Sequence, residues 1–206
     1  MSIVGPAVEN MPFDEHPHET DPALLLVSRP DALSHAEIGQ IEALECETWA
    51  IKAQKTRARE LVYTHIVTRI EIALRMLHPG LYEKIMALMR CSAKHWPDLE
   101  GVDIIDAMPE IEYIVYDTAV QEIPGIERHV DNGSAITLIV MLSTSTDYTG
   151  GSNGFEPNRE LRLQRGQAVL FRGEKCQHWI SPVSSGRRAI LQVELQTGAF
   201  LRALWA

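Results

Sequence analysis

The chain is poor in cysteine, in basic residues relative to acidic ones, and in long apolar runs. Its 206 residues hold 3 cysteines, Cys46, Cys91 and Cys176. These are too few and too scattered for a disulfide framework or a cysteine-rich zinc site. They read as free thiols in a reducing compartment, so a cytoplasmic location is expected. Lys and Arg number 19 against 28 Asp and Glu, a net charge of −9. That balance argues against nucleic acid or an anionic membrane surface as a main partner. No run approaches the apolar length that spans a bilayer. The opening MSIVGPAVENMPFDEHPHETD lacks the basic-then-apolar order of a secretory signal. It is polar, carries Pro6, Pro12 and Pro17, and reads as a solvated tail over residues 1–22. There is no internal repeat. There is also no phosphate-binding loop, because GGSNG (150–154) lacks the Lys-Ser/Thr pair and reads as a turn.

What remains, residues 23–206, has the size of one domain. ALLLVS (23–28) suits a short buried strand. Ser34 and Glu37 form a Ser-x-x-Glu capping box, which places a helix start there with Ile38, Ile41 and Leu44 on one face. Val62, Ile66, Ile70 and Leu77 predict one helix from about Thr56 to Leu77, stopped by Pro79 and Gly80. A third helix is expected over roughly Leu81–Lys94, carrying Ile85, Leu88 and Met89. From residue 109 the pattern changes. EIEYIVYD, AITLIVML, LRLQRG, AVLFRG and RRAILQVEL are apolar, β-branched runs separated by Gly, Pro, Asn and Ser. The expectation is an α+β chain with a mainly β core. A helical part over 31–96 precedes a barrel or jelly-roll core over about 109–197.

Three residues at the strand ends carry chemistry. His129 and Asp131 stand two apart, so an extended backbone points both the same way. His178 opens a later strand, and Arg188 follows it by ten residues. Two imidazoles and a carboxylate on one face of a metal leave open positions for O2 and an organic co-substrate, as in non-heme Fe(II) oxygenases. His-x-Asp also occurs by chance, and His178 beside Trp179 reads equally as a packed core histidine. The distal histidine with its following arginine, in strand context, is what singles the set out.

The motifs HVD (129–131), YTGGSNGFE (148–156), RGQAVLF (165–171), HWISPVSSG (178–186) and Arg188 follow one another in that order. In this they resemble the Fe(II)- and 2-oxoglutarate-dependent oxygenases, in the branch containing the prolyl 4-hydroxylases. The resemblance covers about Tyr113 to Gln196. It implies a double-stranded β-helix, a jelly roll with N-terminal helices packed outside. It also implies His129, Asp131 and His178 as catalytic iron ligands, and Arg188 as partner of the distal carboxylate of 2-oxoglutarate. Tyr116 and Gln192 are further candidate co-substrate contacts. Many members carry a tyrosine in the strand after His-x-Asp; here that stretch reads IVMLS, with Met141 near the place. The implied cofactors are Fe(II), 2-oxoglutarate and O2, with ascorbate stimulating turnover. The implied reaction is hydroxylation of an unactivated C–H bond in a peptidyl proline or a small amino-acid-like metabolite. Related halogenases replace the metal-binding carboxylate, so Asp131 favours hydroxylation. Trp179, Arg128, Asn132 and Tyr148 lie near the expected cavity and read first as local structural residues. The competing reading is a jelly-roll binding or sensing protein that holds metal without turnover.

Overall fold

The computed structural model describes residues 25–52, 59–62, 64–102 and 109–197. The expected tail over residues 1–22 lies outside them. The described chain is mostly β, with antiparallel pairing throughout. In order the elements are β1 (Val27–Arg29), α1 (His35–Lys52), β2 (Arg59–Val62), β3 (His65–Arg69), α2 (Glu71–Leu77) and α3 (Pro79–Ser92). Two 3-10 turns follow, then β4 (Glu110–Asp117), β5 (Ile126–His129), β6 (Ser134–Met141), β7 (Tyr148–Gly150) and β8 (Asn153–Phe155). β9 (Arg159–Leu161), β10 (Ala168–Phe171), β11 (His178–Ile180) and β12 (Val183–Gln196) complete it. The major sheet runs β1-β10-β6-β12-β4-β3-β2, with β7 paired to the start of β12; the minor sheet runs β5-β11-β8-β9. No helix among the described residues is long and apolar enough to cross a membrane.

Strand alternation divides the interior in two. On β12, Ala189, Leu191, Val193 and Leu195 join one buried cluster with Ile38, Ile41 and Leu44 of α1, Leu74 of α2, and Ile85 and Met89 of α3. The opposite face contributes Ile190 to a second cluster, with Ile114, Ile139, Met141 and Phe171 of the major sheet and Phe155 and Ile180 of the minor. Successive side chains of a strand point to opposite faces, so one strand serves both cores. The second core is the wall of the site.

The capping box forms as read. Ser34 N–H donates to Glu37 Oε2 at 2.7 Å, and Glu37 N–H donates to Ser34 Oγ at 3.3 Å. The long helix expected over Thr56–Leu77 does not form. Its region contains the β2–β3 hairpin and the short α2 instead. The spacing of four between Val62, Ile66 and Ile70 satisfies a period of two as well as 3.6, and β-branched residues pack well on a pleated surface. β3 lies between β4 and β2, and its Ile66, Val67 and Thr68 are all buried. Pro79 and Gly80 begin α3 rather than merely ending its predecessor, with proline in the first turn, where its missing N–H costs nothing. In GGSNG, Gly150 ends β7 and Asn153 and Gly154 belong to β8, so only Gly151 and Ser152 link the two strands.

Candidate metal centre

β5 and β11 are antiparallel neighbours, and His129 and His178 are register partners across them. Asp131 lies in the link from β5 to β6, its N–H donating to Gly173 O at 2.9 Å. The three candidate ligand atoms all fall within 4.8 Å of one another. Asp131 Oδ1 is 3.5 Å from His129 Nε2 and 3.4 Å from His178 Nε2. Each histidine turns its other nitrogen to the backbone, His129 Nδ1 to Glu127 O at 2.8 Å and His178 Nδ1 to Cys176 O at 3.2 Å. A carbonyl only accepts, so each Nδ1 carries its proton, and each Nε2 is left to bond Asp131 in the metal-free chain or, in the neutral form, to offer a lone pair to a metal. That is the tautomer a metal-binding imidazole needs.

The carboxylate is fixed in the same way. Thr137 Oγ donates to Asp131 Oδ2 at 2.6 Å, and Thr137 and Ser134 share a further bond at 2.9 Å. Gly173 makes room for this, since a Cβ there would stand 2.2 Å from Thr137 Oγ1. Burial alone would raise the Asp131 carboxyl. Bonds from His129, His178 and Thr137 outweigh it and hold the group well below the ordinary carboxylate range. Asp131 and His178 are buried, whereas the His129 side chain is 34% exposed and forms the open side. The Phe171 ring packs edge-on against His178, centroids 4.6 Å apart. The chemistry of this donor set, two neutral nitrogens and one anionic oxygen, fits a divalent transition metal.

Arg188 lies deeper, on the inward face of β12 beside Tyr116 of β4. It is fully buried. Its Nη2 donates to Asn153 Oδ1 at 2.7 Å, while Nε and Nη1 have no hydrogen-bond partner, nor has the Tyr116 hydroxyl. The guanidinium carbon sits 5.1 Å from the Tyr116 ring centroid. Burial raises the Tyr116 phenol to about 12 although the arginine opposes it. Arg187 takes the opposite face, bonded to Glu45 at 3.3 Å and to the Tyr113 hydroxyl at 3.2 Å. Gln192 shares Arg188's face and donates to Glu194 Oε1 at 2.8 Å.

Sequence reading missed several inward residues. Glu194 is the register partner of Thr137 on one side and Glu110 on the other, and Gln192 that of Glu112. Arg69 bonds Glu110 at 2.9 Å and contacts Glu112 at 3.3 Å. Burial first, then neighbouring carboxylates, raise Glu112 to about 8 and Glu194 to about 7. His65 was hidden by the wrong helix. Its ring is tilted against Tyr116, centroids 5.7 Å apart, and burial, then His129, lower it to about 4. The alternation parity of β4 and β12 was the available signal for the acids. Outside, Trp179 lies flat on Gly154, where a Cβ would come within 1.9 Å of the indole. The Arg128 guanidinium stacks on it at 3.9 Å. These two, with Thr64, Ile123, Ile126 and Pro182, help to line a cleft of about 520 Å³.

No protein-family model and no curated protein matches the chain. Solved structures do match its fold. A 2-oxoglutarate–Fe(II) oxygenase family oxidoreductase from Burkholderia pseudomallei matches at TM-score 0.56 and 15% identity, over 83% of this chain and 84% of that one. The viral collagen prolyl hydroxylase of Paramecium Bursaria Chlorella virus-1 matches at 0.55 and 17%, over 83% and 94%. An alpha ketoglutarate-dependent non-heme epimerase from nogalamycin biosynthesis, SnoN, matches at 0.58 and 14%, over 83% and 78%. The chain therefore has the fold of these oxygenases, as the motif resemblance implied.

Proposed function

We propose that this chain is an Fe(II)- and 2-oxoglutarate-dependent dioxygenase of prolyl 4-hydroxylase-like type, built on a double-stranded β-helix with its N-terminal helices outside. The observation that carries the reading is the convergence of His129 Nε2, His178 Nε2 and Asp131 Oδ1, each held from behind by the backbone or by Thr137. His129, Asp131 and His178 would hold the iron. When bound, the metal supplies the redox chemistry that couples O2 reduction and decarboxylation of 2-oxoglutarate to hydroxylation of a C–H bond.

The protein's own residues position and exclude. Arg188 would receive the far carboxylate of 2-oxoglutarate, because its orphaned Nε and Nη1 are buried cationic donors and a carboxylate answers both. Tyr116 supplies a second donor there, and Gln192 a polar contact on the same wall. Phe155 and Phe171 keep water from the back of His178. The balance is RH, O2 and 2-oxoglutarate to ROH, succinate and CO2, with ascorbate keeping iron reduced. The substrate is a peptidyl proline or a small amino-acid-like metabolite, approaching past His129, the exposed ligand.

The test is turnover in 18O2 with Fe(II), ascorbate and 2-oxoglutarate, offering proline peptides and free amino acids. One 18O is expected in succinate and one in a hydroxylated product, with no chlorination at high chloride. Loss of two hydrogens without labelled product would replace hydroxylation with desaturation. Absence of labelled succinate with every substrate would leave a metal-binding protein without turnover.

A further inference from the structure

The two-glycine segment after β6 reaches the arginine pocket, and its tyrosine has no role in the function above. Tyr148 opens β7 opposite Gly186 of β12, two residues before Arg188. Its hydroxyl donates to Met141 Sδ at 3.7 Å. A thioether is a weak acceptor, whereas a carboxylate oxygen is a strong one. The Tyr148 and Tyr116 phenols both interact with the Arg188 guanidinium, whose Nε and Nη1 are orphaned. Three donor groups from β4, β7 and β12 thus converge, and apart from the Nη2 bond to Asn153 the acceptor they find is a sulfur. The backbone is shaped for this. Gly151 has φ +63, and a Cβ there would stand 2.8 Å from Arg188 Cδ. Gly150 has φ +82, and a Cβ there would stand 2.3 Å from Pro182 O. Only a glycine pair lets β7 lie so close to β12 and bring the Tyr148 hydroxyl to the arginine pocket.

We propose that Tyr148 is a binding residue for the distal carboxylate of the co-substrate, its hydroxyl leaving Met141 Sδ to donate to the anion that Arg188 pairs with. The phenol arrives from β7, while β6 presents Met141 to the same space. Tyr148 therefore selects 2-oxo acids with a second carboxylate. The inference rests on the 2-oxoglutarate reading above.

Calorimetric titration of the Fe(II)-loaded protein under nitrogen tests it, with 2-oxoglutarate and with 2-oxobutyrate, which keeps the 2-oxo acid and lacks the second carboxylate. Tyr148→Phe is expected to weaken 2-oxoglutarate about ten- to a hundredfold, the range for a hydrogen bond to a charged group. Its affinity for 2-oxobutyrate and for Fe(II) should stay at the wild-type value. Unchanged 2-oxoglutarate affinity in Tyr148→Phe overturns the assignment, as does an equal loss for both ligands, which would make the tyrosine structural. Arg188→Gln separates the two levels. A loss there with none in Tyr148→Phe removes Tyr148 alone, whereas no loss in Arg188→Gln removes the co-substrate pocket and this inference with it.

Discussion

The two ends of the inward chamber treat their polar atoms in opposite ways. At the metal end the polar groups answer one another. Asp131 gathers two imidazoles and a threonine, and each imidazole is tied to a carbonyl. At the Arg188 end a buried cation keeps one bond to Asn153 and orphans two donors, with a buried phenol orphaned beside it. An unmade buried hydrogen bond costs about 1–3 kcal/mol, more for a charged group. The first end is self-sufficient and so would be preorganised for a metal. The second stores a cost that a bound anion would relieve. Preorganisation and stored cost are separable by mutation.

The largest effects belong to the metal end. His129→Ala, Asp131→Ala and His178→Ala should each reduce succinate formation to background and abolish stoichiometric Fe(II) binding, with the far-ultraviolet spectrum unchanged. Normal turnover in any one of them means that residue is not a ligand. Next comes the anion end. Arg188→Ala should raise the apparent KM for 2-oxoglutarate by roughly 10- to 1000-fold, the loss of a charge-assisted pair in a partly closed site. Metal affinity measured without co-substrate should move little. Arg187→Ala is the control, since that side chain faces Glu45 and Tyr113 on the other side of the sheet. A KM change in Arg187→Ala but not in Arg188→Ala would reverse the comparison.

How much of this was legible in the sequence follows from what each feature depends on. The nearness of His129 and Asp131 was readable because residues two apart in extended backbone face one way, and the backbone keeps them together although Asp131 lies just past β5. His178 as their cross-strand partner was not, because register depends on the bulge between His178 and Ile180. The capping box was readable because it is local. The β2–β3 hairpin was not. A spacing of four fits both a helix and a strand, and the strand won through burial against β4, a contact far along the chain. That error concealed His65. Tyr148 was visible in Tyr-x-Gly-Gly, but its target was not, because Gly186 and Arg188 enter only through the β7–β12 pairing.

A smaller effect tests whether the anion end is held by backbone shape. Gly151→Ala forces a residue with a Cβ into φ +63 and against Arg188. The left-handed backbone alone costs about 1–2 kcal/mol. Denaturant unfolding should show at least that loss, and 2-oxoglutarate affinity should fall while Fe(II) affinity holds. If metal binding weakened in step with co-substrate binding, the two ends would not be independent.

The smallest effect concerns the carboxylates beside the metal end, which belong to neither pattern. Glu112 and Glu194 face the chamber with Glu110, and Arg69 is the cation bonded into that group. Burial, then Glu110, raises Glu112 from 4.5 to about 8; burial, then Asp131, raises Glu194 to about 7. A raised carboxyl pKa means the fold favours the neutral form. Between pH 4.5 and about 8 the native chain retains protons that the unfolded chain has released. Stability from these groups is therefore complete below about 4.5, falls as pH rises through the window, and levels off above about 8. Denaturant midpoints of the metal-free protein should drop across that range. Glu112→Gln keeps the shape, removes one titrating site and eases its neighbours, so its midpoint should fall less steeply. Its advantage over the wild type should be greatest at the alkaline end. A slope unchanged by Glu112→Gln would mean that water or Arg69 already compensates the carboxylate, and the chamber's acidic wall would then be as self-sufficient as the metal end.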